Sequence, residues 1–376
     1  MLAASSALAL VAIIVIILLC IAQFYLKNSA LTSFATVISA VFGMIIAFNY
    51  YESLADQLIS RGYVSQWAQA GCFILLFIIG LAAIRSVGDL LIGSNIDLGL
   101  IAKRTAAGIC AVTTGLLISG ALFIALAMSP LGPKLTYNRF GQTVSNASIN
   151  NPNKLALNVD GLVAGLFGWI SKGSLSSGKN FSMYHADFVD QIHLNGNKAS
   201  EKVFVISSKK ALTLPGKGKQ PVRRMEINEQ KLTVVRIGII NRDIADGGAK
   251  DPANKVSFTP SQIRLICRDT EQSDTIATNA KVVYPALITI IRDKTTGSED
   301  ETFSVKKDLG TIIDLEGQDF QKRVGWLDVA FQVSERMEGV LLQFKQNAVI
   351  ELPKPVTSTD EIEQQLNSSE SAASQQ

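Results

Sequence analysis

Residues 105–128 read TAAGICAVTTGLLISGALFIALAM, a run without a charged side chain that stops at Ser129-Pro130. A helix needs about 20 apolar residues to cross the hydrocarbon core of a bilayer, and this run supplies them. Residues 1–26, 28–51 and 62–84 are also free of charge. One Lys or Asp at mid-bilayer costs about 3 kcal/mol on insertion scales, so four such gaps are a physical signature of a lipid solvent. The expected spans are 8–26, 31–48, 67–84 and 105–128, closed by Ser129-Pro130 and Gly132-Pro133. Phe24, Tyr25, Phe48, Tyr50, Tyr51, Tyr63 and Trp67 stand at their ends, as an interfacial belt would. From Lys134 onward, charge returns at the density of a water-soluble protein.

The whole chain has 376 residues and a net charge of +3, a balance that selects no nucleic-acid or other highly charged partner. Of the four cysteines, Cys20, Cys72 and Cys110 fall in apolar runs and only Cys267 lies beyond them. That excludes a disulfide inside the polar part, and cysteine serves here as a small hydrophobe. The first span is read as a membrane anchor. A cleaved signal needs a basic start and small residues at the cut, and residues 1–6 hold no Lys or Arg.

Basic residues set an expected orientation. Lys27 follows span one, and Arg85, Lys103 and Arg104 lie between spans three and four. The connection between spans two and three carries Glu52, Asp56 and only Arg61. The positive-inside rule then places the N-terminus and everything after span four outside the cytoplasm. Residues 51–66 suggest a short interfacial helix after span two, and residues 87–101 an amphipathic connection with Asp89 and Asp97 on the wet side.

Four regions are expected: a transmembrane part over 1–133, a linker with one amphipathic helix over 134–201, a β-sandwich over 202–354, and a disordered tail over 355–376. The linker is rich in Asn, Ser and Pro. Its helix, over 159–175, would rest on the membrane surface or on the β domain. Strand-like runs occupy 203–206, 232–240, 263–268, 282–291, 326–333 and 340–344, with Gly-, Pro- and Asp-rich turns between them. The tail is Ser-, Glu- and Gln-rich.

Candidate functional residues fall into three groups. Ala35, Ser39, Gly43 and Ala47 in span two, and Ala107, Ala111, Gly115 and Ser119 in span four with Gly108 beside them, form rows of small residues at helical spacing. Such rows let helix backbones approach closely, within one subunit or between two. Lys209, Lys210, Lys217, Lys219, Arg223 and Arg224 form a basic stretch without an acid between Lys202 and Glu226. It reads as a solvated hairpin loop or as a contact for anionic lipid headgroups. The two histidines, His185 and His193, stand with Asp187 and Asp190, but their spacing fits no standard metal site. No GxSxG, HExxH or GxGxxG motif groups a nucleophile with a base, so no catalytic residue, metal or cofactor is assigned.

The first part resembles the colicin V production protein (CvpA) family over residues 8–130. The likeness lies in the four-span layout, in Leu31-Thr32-Ser33-Phe34, in Tyr50-Tyr51-Glu52-Ser53-Leu54, and in Ile101-Ala102-Lys103-Arg104-Thr105-Ala106-Ala107-Gly108 continuing to Gly115 and Gly120. Val112 stands where that family usually has a further glycine. The resemblance implies a non-enzymatic, multi-pass protein of the bacterial inner membrane that supports toxin production or export and envelope organisation. Partners would be the bilayer, further copies of the chain or other envelope proteins. Residues 325–331 and 341–344 resemble Ig-like extracytoplasmic sandwiches, with Trp326 and Phe331 expected in the core. The alternative is a channel or transporter of oligomerised spans two and four.

Overall fold

Unbroken apolar sequence becomes four long helices: α1 (Leu2–Lys27), α2 (Ala30–Ser60), α3 (Ala68–Leu91) and α4 (Leu100–Met128). The computed structural model describes residues 2–27, 30–61, 63, 66–91, 99–131, 137–141, 144–173, 180–199, 203–216, 220–227, 229–241, 255–270, 280–291 and 308–354. The expected tail over 355–376 lies outside the described residues. The chain divides into a helical unit, residues 1–204, and a β unit formed by 205–246 and 250–376.

All four long helices are long and apolar enough to span a bilayer. Their outward side chains are large and apolar: Leu8, Val11, Leu18 and Leu19 on α1, Phe34 and Phe42 on α2, Ile78 and Ile79 on α3. Water would oppose that surface and lipid accepts it, so this is a membrane protein. Only 22% of the apolar window of α1 is buried, against 56% for α4, so α4 is the central helix.

Both rows of small residues are used inside the chain. A side-chain carbon at Gly43 would lie 2.9 Å from the Leu81 backbone nitrogen and 3.0 Å from the Phe77 carbonyl, and Gly80 faces it from α3. Ser39 and Ala47 are buried with Gly43, while Ala35 is half-buried. In α4, a carbon at Gly115 would come within 2.9 Å of Ile17 on α1. Ala107, Ala111 and Ser119 are buried, and Ala111 packs with Cys20 and Phe24. Gly108 has nothing near it.

Two helix ends differ from expectation. α2 continues through the aromatic belt to Ser60, with no separate interfacial helix, because nothing in Asn49-Tyr50-Tyr51 stops it and the Asn49 amide bonds back to the Ile45 carbonyl. α3 runs past Ile84 to Leu91, carried by the Arg85–Asp89 pair one turn apart at 2.6 Å.

Beyond α4 the expected linker is instead largely helical. It folds as α5 (Asn146–Asn150), α6 (Val159–Lys172), α7 (Phe181–Tyr184) and α8 (Phe188–Ala199), all within the helical unit. Three of its small polar residues serve as caps. Ser145 and Ser148 close a reciprocal capping box on α5, and the Asn180 side chain accepts from the Met183 N–H on α7.

Among the described residues the β unit forms three antiparallel sheets. The first orders β1 (Leu212–Thr213), β3 (Gln230–Ile240), β10 (Val324–Phe331) and β7 (Pro285–Ile290), with β2 (Val222–Ile227) on β3 and β9 (Phe320–Gln321) on β10. The second orders β12 (Ala348–Glu351), β11 (Met337–Phe344), β5 (Ile263–Asp269) and β6 (Lys281–Val283). β4 (Val256–Phe258) pairs with β8 (Ile313–Leu315). Val235, Ile237, Leu327, Val329 and Phe331 from the first sheet share one core with Leu265, Cys267, Leu342 and Phe344 from the second. Every cysteine is free, and burial pushes the Cys267 thiol up to about 12.

Alternation along β10 corrects one expectation. Leu327, Val329 and Phe331 point into the core, so Trp326, one residue out of phase, is only half-buried on the opposite face. Its indole lies over Gly238, the residue directly across on β3. The run 282–291 splits at Tyr284-Pro285. β6 pairs with β5 and β7 with β10, so this run passes from one sheet to the other where proline removes a ladder donor. Residues 203–206 form no strand. The Val205 carbonyl accepts from the Gln346 N–H and the Ser207 N–H donates to the Asn347 side chain, so their bonds go to a turn and not a ladder.

Phe331→Ala should therefore destabilise the β unit by about 3–5 kcal/mol, and Trp326→Ala by clearly less, measured by urea unfolding of the detergent-solubilised chain. Within the bundle, Gly43→Val should lower the thermal midpoint in detergent while Gly108→Ala leaves it unchanged. Equal effects from the two glycine changes would contradict the α2–α3 crossing.

Candidate functional site

The site grows from the chain that leaves α4. After Ser129, whose hydroxyl donates to the Leu126 carbonyl, residues 137–141 run beside residues 153–160. The Asn153 N–H donates to the Arg139 carbonyl and the Asn153 amide donates to the Asn138 carbonyl. Leu157 and Asn158 then take left-handed backbone angles, φ 62° and 45°, and turn the chain into α6. This places Asp160 in the first helical turn, where the helix dipole favours a carboxylate.

Asp160 is buried and fully engaged. One oxygen accepts from the Gly161 N–H at 2.9 Å and the other from the Tyr137 hydroxyl at 2.7 Å. Arg139 donates from Nη1 to the Tyr137 oxygen at 2.8 Å and from Nε to Asp190 of α8 at 2.5 Å. The His193 ring, one turn along from Asp190, meets the Tyr137 ring edge to face at 4.8 Å. Its Nε2 is 3.9 Å from the Asp160 carboxylate. Five side chains thus tie three separate segments together.

The electrostatics follow from burial. Burial, and then the Arg139 charge, push His193 down to about 3, so its contact with Asp160 is that of a neutral imidazole and not an ion pair. Burial, and then the Asp160 charge, raise Tyr137 well above the usual phenol range, which keeps it a donor. Burial pulls Arg139 down, but Asp190 and Tyr137 outweigh it and the net shift is upward. An arginine with 9% of its side chain exposed is held charged by its partners.

A second knot lies around His185. Nδ1 is 2.7 Å from Gln191 Oε1, and Nε2 is 3.2 Å from Glu52 on α2. Glu52 also accepts from the Tyr51 hydroxyl at 2.9 Å. Beside it, Phe48 stacks on Phe167 at 4.5 Å and meets Phe73, Phe181 and Phe188 edge-on or tilted. This aromatic cluster seats α6, α7 and α8 on α2, with Phe73 of α3 packed against the same Phe48 ring, each ring pair adding about 0.5–1.5 kcal/mol beyond its buried area.

The two histidines are therefore divided between two knots, one against Glu52 and one against Asp160. Among the described residues no group of three His, Cys, Asp or Glu could hold a metal. Of the basic stretch, Lys209, Lys210 and Arg224 are exposed. Arg224 stands on strand β2, which the basic composition had hidden. Arg223 is drawn to Asp328 at 3.5 Å, a carboxylate that Arg236 already grips with two bonds. Lys217 and Lys219 lie outside the described residues. Thr113 bonds its own helix, whereas the buried Thr114 and Ser119 hydroxyls have no partner.

Tyr137, Arg139, Asp160 and Glu52 were not among the candidate site residues read from the sequence. One signal was available: Asp160 is the only acid in an otherwise apolar helix. The chain matches no protein-family model, no curated protein and no solved structure.

Asp190→Ala should destabilise the helical unit by about 3–5 kcal/mol, because it leaves the Arg139 charge buried without its carboxylate. Calorimetry in detergent measures this. The pH response has a definite sign. His193 binds a proton near pH 6.5 when unfolded but only near 3 when folded, so its contribution is complete above 6.5 and falls away as pH drops toward 3. The native chain should lose more thermal stability between pH 7 and pH 5 than His193→Gln does.

Proposed function

We propose that this protein is a non-enzymatic membrane anchor that presents a β domain for binding. The observation that carries this reading is the use made of its reactive groups. Tyr137, Arg139, Asp160, Asp190 and His193 satisfy one another, and His185 is held between Glu52 and Gln191. Such groups brace helices; a catalytic acid or base needs an open side toward a substrate. The membrane is the bacterial inner membrane, with the β domain on the extracytoplasmic side. Its role is envelope organisation or support of toxin export, as resemblance to the colicin V production protein family implies. Lys209, Lys210 and Arg224 add contacts to anionic headgroups.

The rival reading, a channel of oligomerised spans, drew on the small-residue rows. Those rows are taken up by α2 with α3 and by α4 with α1 in a single chain, which leaves that reading less to rest on.

Three measurements test the proposal. Alkaline phosphatase fused after Lys354 should be active, and a reporter that works only in the cytoplasm should be silent there. Photo-crosslinkers placed at Lys209 and Arg224 in intact membranes should capture a defined envelope protein or lipid. Specific ion or solute flux through the purified chain in liposomes would replace the anchor with a channel.

A further inference from the structure

We propose that α6 lies inside the bilayer, across the spans, with its outward face bathed in acyl chains. The proposal rests on the membrane reading of α1–α4 and adds a fifth lipid-contacting helix to it.

Two polar contacts mark one boundary of the bundle. The Arg104 guanidinium sits over the Tyr25 ring at 5.3 Å, joining the end of α1 to the start of α4. Arg85 donates to the Thr32 carbonyl at 2.8 Å, joining α3 to the start of α2. Guanidinium groups stay at the water interface, so both contacts sit at its level.

α6 meets α1, α4 and α2 far from that boundary. Val159 shares one apolar cluster with Ala9 and Ile13 of α1. A side chain at Gly120 of α4 would run into Val163 and the Val159 carbonyl. Phe167 stacks on Phe48 of α2. The rise from Tyr25 to Ile13 is about 18 Å, and those from Arg104 to Gly120 and from Thr32 to Phe48 are each about 24 Å. Hydrocarbon is about 30 Å thick, and tilt only shortens these heights. Three helices therefore place both Val159 and Phe167 short of the far boundary, at similar depth. α8 starts at the same level, with Phe188 on Phe48, and rises from there: its Gly196 rests on the Ala127 carbonyl, about 34 Å along α4 from Arg104.

The chemistry of α6 fits that depth. Its polar side chains are Asp160 and Ser171, both buried against the helical unit, and Lys172 at its very end. The outward face shows Leu162 and Trp169, 43% and 73% exposed, with Leu157 just before the helix at 62%. A helix apolar on both faces suits a lipid solvent, not water. Lys172 can reach the headgroups from its terminal position.

The chain has three tryptophans, Trp67, Trp169 and Trp326, so fluorescence reports the answer. The full chain is reconstituted in phosphatidylcholine vesicles carrying brominated acyl chains, and native protein is compared with Trp169→Phe. The expected result is that Trp169→Phe loses a large part of the bromolipid quenching while quenching by aqueous iodide is unchanged. Iodide quenching that falls instead would put α6 in water and overturn the proposal. No change in either would mean that protein covers the face, a second copy included, and would also overturn it. Should Trp169→Phe fail to accumulate, Trp67→Phe/Trp326→Phe leaves Trp169 as the sole emitter for the same comparison. Flotation with the vesicles reports on α1–α4 independently, so failure of the spans and failure of α6 are separable.

Discussion

Hydrocarbon offers a peptide group no hydrogen-bond partner, and the helical unit is organised around that constraint. Each backbone that enters lipid must satisfy itself, which leaves the helix as the form available to residues 7–25, 30–60, 68–91 and 100–128. Lipid also gives helices no hydrophobic reason to associate. Close backbone contact has to do that work, and glycine supplies it: Gly43 against Gly80, and Gly115 against Ile17. Charged residues retreat to the ends, where Arg85 and Arg104 become ties between helices.

The same economy governs the helices after α4. Arg139 is the costliest group in that region to bury. It is held by Asp190 and, through Tyr137, by Asp160, while the neighbouring His193 stays neutral. Burial disfavours a charge on the His193 imidazole, and the nearby Arg139 charge disfavours it further, so the ring gives up its proton. The Phe48, Phe167, Phe181 and Phe188 rings complete the seat with contacts that need no charge. Polar knot and aromatic cluster grip α6 at different points along its length, Asp160 near its start and Phe167 further on.

In the β unit the core is set by side-chain alternation, and its outer surface by ion pairs. Asp328 lies on the face of β10 opposite Leu327 and Val329, and there it joins Arg236 and Arg223. The basic stretch is thus partly neutralised by its own sheet. A count of charges along the chain could not register this, because Asp328 is about a hundred residues away from Arg223 in sequence.

The sequence by itself determined what depends on local composition. Charge-free runs located the four spans, since exclusion of charge from lipid acts residue by residue. Alternation located β3, β5, β10 and β11, and the small-residue rows identified Gly43 and Gly115 as contact points. What only the tertiary structure decided depends on partners distant in the chain. It turned an Asn- and Ser-rich linker into capped helices, placed Trp326 outside the core and Phe331 within it, and moved β6 and β7 into different sheets. It also assembled Tyr137, Arg139, Asp160, Asp190 and His193 from three separate segments. A buried charge is stabilised only by the groups that surround it, and those are chosen by packing, not by neighbours in sequence.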